Sequence, residues 1–439
     1  MIVFANTITP RLQYITDFIG KNILGKPFEL TTDAVLFNSY TGPKINYSTT
    51  KINNEEPVRP ADGLIINNYD LLFENFITKK TVSCFTLRDF RAFFKTSGDY
   101  PFDIFAASFY LLSRYEEYLP HTKDMYGRYA HESSLAFKEG FLHLPLINIW
   151  LQDFKKALKE KFPALNTHNT PFTFLPTYDI DEAYSYKHKG FLRSVGGVAK
   201  QLFTGNWQLA NKRIKVLAGK ERDPYDSFNW MDTFHVKKNL RPIYFFHLAA
   251  ENGRYDKNIL PSKPAMRRLI KDHAKKYLIG IHPSWRSGDE KTLMLQELKN
   301  LESISGKKIR ASRQHYIRVT LPETFNELIE AGITDDYSMG YGSINGFRAS
   351  VASSFYWYNL EKEQPTTLLL HPFCFMEANS YYEQKFSLQQ TADELKHYYD
   401  IVKSVHGTLI TIWHNSFLGT DKRFEGWREL YKQFTDDIA

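Results

Sequence analysis

FTFLPTYDID, residues 172–181, is the stretch on which the fold turns: an apolar run of strand length that ends on two carboxylates, Asp179 and Asp181. Short apolar runs that stop at ionisable side chains are what parallel strands with reactive carboxyl ends look like in a sequence. Outward from it, LRPIYFFHLA (240–249), YLIGIHPSW (277–285), KKIRASRQHY (307–316), TTLLLHPFCF (366–375) and GTLITIWHNS (407–416) read the same way. Between them KPAMRRLIKDHAKK (263–276), EKTLMLQELKNLES (290–303), PETFNELIEAG (322–332), LQQTADELKHYYDIVKSV (388–405) and RFEGWRELYKQF (423–434) read as helices, with Pro322 suited to a helix start. Such alternation predicts parallel strands with right-handed crossovers, in a barrel or an open doubly wound sheet. Either form collects its active site at the carboxyl ends of the strands.

Residues 1–165 read differently, as a smaller α+β N-terminal domain. Short strand-like runs such as DGLIINNY (62–69) mix with amphipathic helices at DIFAASFYLLSRYEEYL (103–119) and LINIWLQDFKKALKEKF (146–162). The boundary is expected in PALNTHNTP (163–171), which has two prolines among turn formers, so that 170–439 forms the second domain.

Of 439 residues, 43% are hydrophobic and 24% charged, which excludes a disordered or fibrous chain. Two cysteines, Cys84 and Cys374, make no disulfide framework, and a reducing compartment is the simpler expectation. No secretory leader pattern opens the sequence and no run of eighteen apolar residues follows. The expectation is a soluble cytoplasmic protein. Net charge is +7, yet residues 187–222 alone hold nine Lys/Arg against Glu221, a balance of +8. The rest is near neutral, which argues against nucleic-acid binding. This basic stretch belongs to an insert at 187–230 and includes GFLRSVGGVAKQLF (190–203), where apolar and basic residues interleave. Two outcomes are open for it: a solvated helical excursion packed on the barrel, or peripheral contact with the inner membrane surface through 187–222.

Asp179, Asp181, His282, Arg313, His315 and His414 all stand at expected strand ends. Singly, each has a plain structural explanation: the aspartates as caps, the histidines as hydrogen-bonded interior groups, as His371 in LLLHPF also illustrates. Together at one rim they offer oxygen and nitrogen ligands for a divalent ion and spare groups for proton transfer.

The order TYDID, IGIHPSW, RQHYIR and TIWHNS resembles the polysaccharide deacetylase (NodB-homology) superfamily, carbohydrate esterase family 4, over about 172–439. SFYLLSRYEEY (108–118) and MYGRYAHESS (125–134) are similar to a two-domain branch of Bacteroidetes type. The resemblance implies a distorted (β/α) barrel that hydrolyses acetamides on amino sugars with a divalent metal, Zn2+ foremost and Co2+, Mn2+ or Ni2+ as alternatives. It implies Asp179 as general base and Asp181 as metal ligand, although Ile180 is interposed between them. Its second motif has two histidines four apart, whereas here His282 is followed by Arg286. Its third motif falls on Arg313-Gln314-His315-Tyr316, with His315 in the place of a proline. His315 is therefore expected to complete a metal set with Asp181 and His282. Arg313 would orient Asp179, His414 would be the general acid, and the backbone N–H of Tyr316 would face the oxyanion. Asp336 and Ser338 fall weakly on the fourth motif, and Arg348 in NGFRAS is expected either to bind substrate or to form a local ion pair.

The function these residues imply is removal of an N-acetyl group from an amino sugar in a polysaccharide or its precursor, the partner being an N-acetylated sugar or oligosaccharide. Two alternatives stand beside it: hydrolysis of another non-peptide C–N bond on the same fold, and a non-catalytic carbohydrate-binding or assembly protein. A base, its orienting arginine and an acid together weigh against the last.

Overall fold

The computed structural model describes residues 1–48 and 63–438. Strands β1 (Ile2–Phe4), β2 (Glu29–Thr31), β3 (Lys44–Asn46) and β4 (Leu64–Ile65) form one parallel sheet in the order β2-β1-β3-β4. Residue 62, the start of the expected 62–69 strand, lies outside the described residues; of the rest Leu64 and Ile65 pair in the sheet and Ile66 bridges Gly98. The helix Pro10–Leu24 links β1 to β2. Thr9 caps it through Leu12 N at 3.1 Å, Pro10 opens its first turn, and Leu12, Ile15, Ile19 and Ile23 form its buried stripe. A parallel sheet with a helical crossover is an α/β arrangement rather than the expected α+β one. Its strands are too short for their pairing to be legible in the sequence.

A hairpin, β5 (Phe85–Leu87) and β6 (Phe90–Ala92), precedes the helix Ile104–Leu112. That helix is buried all round and packs on the helix Pro10–Leu24 and on the strand Phe355–Asn359. It stops short of the expected Leu119 because Arg114 turns left-handed, at φ 53°, and places its guanidinium on Glu116 and Glu117. The helix Leu146–Lys161 buries Ile147, Trp150, Leu151, Phe154 and Leu158, close to its expected span.

The remaining strands form one nine-stranded sheet: β7 (Thr173–Ile180), β8 (Ile243–His247), β9 (Leu278–His282), β10 (Ala311–Ser312), β11 (Asp335–Asp336), β12 (Phe355–Asn359), β13 (Gln364–Leu370), β14 (Phe375–Met376) and β15 (Thr408–His414). Their order is β12-β13-β11-β10-β9-β8-β7-β15-β14, parallel throughout except for β12 against β13. The sheet curls. Ile243 and Phe245 of β8, Met376 of β14 and Ile410 and Ile412 of β15 share one interior cluster with Phe373, against which Leu175 of β7 and Ala311 of β10 pack. Hydrogen bonds among the described residues leave it open between its edge strands, β12 and β14. Gly280 of β9 permits this curvature: a Cβ there would stand 2.5 Å from the Phe245 ring and 2.8 Å from the Ala311 carbonyl. On the outer face Tyr178 meets His235 at 2.7 Å and Tyr431 at 2.5 Å, under the covering helices.

The N-terminal region packs directly on this sheet. Tyr14 donates to the Tyr356 carbonyl at 2.7 Å, Arg11 pairs with Glu363, and Phe109 meets Tyr358 edge-on at 5.1 Å.

Candidate active site

Strand register sets the level of the rim. His414 of β15 lies opposite Asp179 of β7, and His247 of β8 lies opposite His282 of β9. Alternation along β7 turns Thr177 and Asp179 away from the outward-facing Tyr178, and Asp181 follows just past the strand end.

Arg313, wholly buried, donates from Nη1 to Asp179 Oδ1 at 2.9 Å and to Thr177 Oγ1 at 2.7 Å, and from Nε to the Tyr337 carbonyl at 3.1 Å. Its guanidinium lies over the Phe245 ring, 4.5 Å from the centroid. One Asp179 oxygen is thus fixed. The other lies 3.9 Å from His282 Nε2.

His282 Nδ1 is 2.6 Å from the Arg313 carbonyl, which can only accept, so Nδ1 carries the proton and in the neutral ring Nε2 presents a lone pair. That nitrogen is 3.1 Å from Asp181 Oδ1, a buried oxygen without a hydrogen-bond partner among the described residues. His315 Nε2 is 3.5 Å from Asp181 Oδ2, and its Nδ1 is 3.2 Å from Asp256 Oδ1. Ligand atoms of Asp181, His282 and His315 all lie within 4.8 Å of one another. A lone pair facing an orphaned carboxylate oxygen beside a second imidazole is a donor set that a divalent cation would satisfy. His247, Asp256 and His315 cluster equally closely, but there His247 Nε2 bonds Asp256 at 2.8 Å, and the cluster supports the first.

Electrostatics follow from the same contacts. Burial opposes charge on Asp181, but the imidazoles of His315, His282 and His414 gathered around it hold it well below the usual carboxylate range. Burial would lower His315, yet Asp181 and Asp256 bring it up to about 9, so a metal ion entering here displaces a proton. Burial would lower His414 too. The Glu377 carboxylate, with Asp181, holds it well above an ordinary histidine. Glu377 Oε1 accepts from His414 Nδ1 at 2.8 Å and from its backbone N–H at 2.6 Å, while His414 Nε2 faces Asp181 Oδ2 at 3.4 Å.

These groups border a cavity of about 560 Å³. Asp179, Asp181, His282, His315, Tyr316 and His414 line it, as do Tyr126 and Arg128 from the N-terminal region. Arg128 donates to the Tyr316 carbonyl at 2.7 Å, and Tyr126 and Tyr255 stand with Trp285 and Tyr316 in one aromatic cluster.

One expected site residue lies elsewhere. Arg348 is 2% exposed and does not reach the cavity; its Nε and Nη2 bond Glu117 at 2.8 and 2.5 Å, and Nη1 bonds the Gly340 carbonyl. The fork expected for substrate is taken by a carboxylate of the N-terminal region, an ion pair with a distant residue rather than a local one. Arg286, where a second histidine stands in the resembled motif, points to Glu251 and Glu290. Asp336 and Ser338 brace the Arg313–His315 loop: Asp336 accepts from Ser312 at 2.7 Å, and Ser338 Oγ accepts from Gln314 N at 2.8 Å. His371 is satisfied by Asp335 and Ser354.

Two carboxylates next to the site, Asp256 and Glu377, escape the sequence reading. Asp256 sits in a loop with no motif around it. Glu377 had a signal, since it stands one residue past the apolar run 366–375, after Met376, as Asp181 and His414 end theirs.

Fold and site together define an α/β protein that gathers Asp179, Asp181, three imidazoles and a buried guanidinium at one strand-end rim. A family model described as "Family of unknown function (DUF7033)" matches residues 1–163. No curated protein matches the chain. Among solved structures, three chains described as polysaccharide deacetylases are similar to part of it. That from Mycobacterium smegmatis has a TM-score of 0.40 at 11% identity, covering 62% of this chain and 85% of its own. That from Pseudomonas aeruginosa PAO1 has a TM-score of 0.38 at 15% identity, covering 61% and 84%. The Bacillus cereus chain has a TM-score of 0.29 at 11% identity, covering 62% and 89%.

Proposed function

We propose that the chain is a metal-dependent amide hydrolase that removes an acetyl group from an amino sugar. The observation that carries this reading is a carboxylate, Asp179, locked by a buried arginine beside an Asp-His-His donor set, with a proton-holding histidine at the same rim. Zinc or a similar divalent ion, held by Asp181, His282 and His315, would polarise the acetamide carbonyl and acidify water. Asp179 takes the proton of the attacking water, and Arg313 keeps its free oxygen aimed at the site. His414 gives its Nε2 proton to the departing amine, and Glu377 stabilises the ring while it is charged. Water adds to the acyl carbon, the C–N bond breaks, and acetate and a free amine leave. The backbone N–H of Tyr316 would serve the oxyanion, and the rings of Tyr126, Tyr255 and Tyr316, which line the cavity, offer stacking faces for sugar.

Acetate release from N-acetylated glucosamine oligosaccharides by the metal-loaded protein, with elemental analysis, tests this. Asp179→Asn is expected to keep its metal and lose roughly 10²–10⁴-fold in kcat. Full activity in that variant, or no acetate release by the wild type from any acetylated amino sugar, overturns the proposal. Release of another acyl group or of ammonia from other amides would instead assign the site to a different C–N bond.

A further inference from the structure

Within the insert, Phe191–Phe203 and Trp207–Leu217 form two helices whose exposed face is not that of a solvated excursion. The first helix buries none of its residues. Phe191 is 80% exposed, Leu192 84%, Phe203 92% and Trp207 67%, and Val195, Leu209, Ile214 and Leu217 are exposed as well. These are eight of the nineteen exposed large hydrophobic residues among those described, within 27 residues of chain (191–217). An apolar cleft of about 500 Å³ opens along the pair, lined by Phe191, Val195, Val198, Leu202 and Leu217. A short helix in water draws most of its stability from packing, and Gly196 and Gly197 weaken this one further. The described residues do not bury it, so its apolar face is left without a partner surface among them.

Charge says what that surface is. The segment carries Arg193, Lys200, Lys212, Arg213, Lys215 and three further cations to either side beyond Lys187, against the single acid Glu221. A second copy meeting it face to face would set +8 against +8. An anionic lipid surface instead accepts both components: the aromatic and aliphatic side chains enter the headgroup boundary while the cations meet phosphate. We propose that this helical hairpin docks the protein on an anionic phospholipid bilayer.

The hairpin is rooted at the cavity. The chain leaves the lining at Glu182 and returns to it at Tyr225. Asp223 pins the root by accepting from the backbone N–H groups of Ser185, Tyr186 and Lys187 at 2.7, 2.8 and 2.9 Å, and Arg213 lies over the Tyr186 ring at 4.7 Å. At 1.5 Å per residue the longer helix spans about 20 Å, so docking holds the cavity within that reach of lipid. The substrate class that follows is an acetylated amino sugar carried on a membrane lipid; this last step rests on the hydrolase reading above.

The test uses the full chain with phosphatidylcholine vesicles, with and without phosphatidylglycerol, at low salt. Sedimentation with the anionic vesicles is expected to exceed that with phosphatidylcholine alone by about tenfold or more, and to fall as salt rises. The combined variant Phe191→Ser, Leu192→Ser, Phe203→Ser should lose about tenfold or more of that binding, with its thermal unfolding and its hydrolysis of a soluble acetylated oligosaccharide unchanged. Absence of vesicle binding, equal binding to both vesicle types, or full binding by the variant overturns the proposal, as does a solution dimer that the variant abolishes. Failure of the hydrolase reading would leave vesicle binding intact, so the two fail separately.

Discussion

Asp256 holds more of the site than its place in an unremarked loop implies. It accepts from His247 Nε2 at 2.8 Å, from the Trp285 backbone N–H at 2.9 Å and from His315 Nδ1 at 3.2 Å. The last bond fixes the tautomer and rotation that turn His315 Nε2 toward Asp181, much as a carboxylate behind a metal-binding imidazole does in general. Asp256→Asn is therefore expected to weaken divalent-ion affinity by roughly ten- to a hundredfold. Metal-competition titration reads that loss directly, and at saturating metal kcat should recover most of its wild-type value. Unchanged affinity would show that His315 is oriented without it.

Among the elements, β9 has the least room. A side chain at Gly280 would meet a neighbouring ring and a backbone carbonyl, and the ring is Phe245, the floor under the Arg313 guanidinium. Gly280→Ala should cost about 1–3 kcal/mol, read as a lowered midpoint in thermal or urea unfolding, and should reduce kcat as Arg313 shifts from Asp179. A variant as stable as the wild type would mean that the sheet relaxes freely there. The apolar strands β7, β8, β9 and β15 were legible in the sequence because burial on both faces leaves a continuous apolar run, and β13 through its closing Leu368–Leu370. β11 was not, since Asp335 and Asp336 pair through the backbone and their side chains are polar. The helix Phe228–Lys238 was also missed: Val236, 82% exposed, and Trp230 blur its buried stripe of Phe228, Met231 and Phe234. At the site, motif spacing led to the groups at strand ends, Asp179, Asp181, His282, Arg313, His315 and His414, which the structure brings to one cavity or its wall. Arg348 misled, because a sequence shows a guanidinium and not the carboxylate, far away in the chain, that occupies it.

For the whole molecule, the joint between the N-terminal region and the rest of the chain buries an ion pair, Glu117 with Arg348. Burial opposes ionisation of Glu117, but Arg348 and Arg114 hold its carboxyl down at about 2, against an ordinary 4.5. A depressed carboxyl stabilises the fold in full above pH 4.5 and loses that contribution as pH falls toward 2. The shift corresponds to on the order of 3 kcal/mol. Asp103, which burial raises to about 6, has the opposite sign, its cost growing as pH rises from 3.8 through 6. The difference in unfolding free energy between wild type and Glu117→Gln isolates the first effect. That difference should be large and level above pH 5 and shrink by about 3 kcal/mol on acidification toward pH 2. A difference that stays constant with pH would mean that the pair contributes packing and not charge.

The Glu117–Arg348 pair also bears on descent. Arg348 left without Glu117 would be a bare charge inside the protein, whereas Glu117 would keep Arg114: a lineage that loses the acid must lose the base, and one that sheds the first 160 or so residues must replace Arg348 altogether. Position 348 is thus a marker, readable in any related sequence, of whether the half that carries the nine-stranded sheet is still built to wear this N-terminal partner.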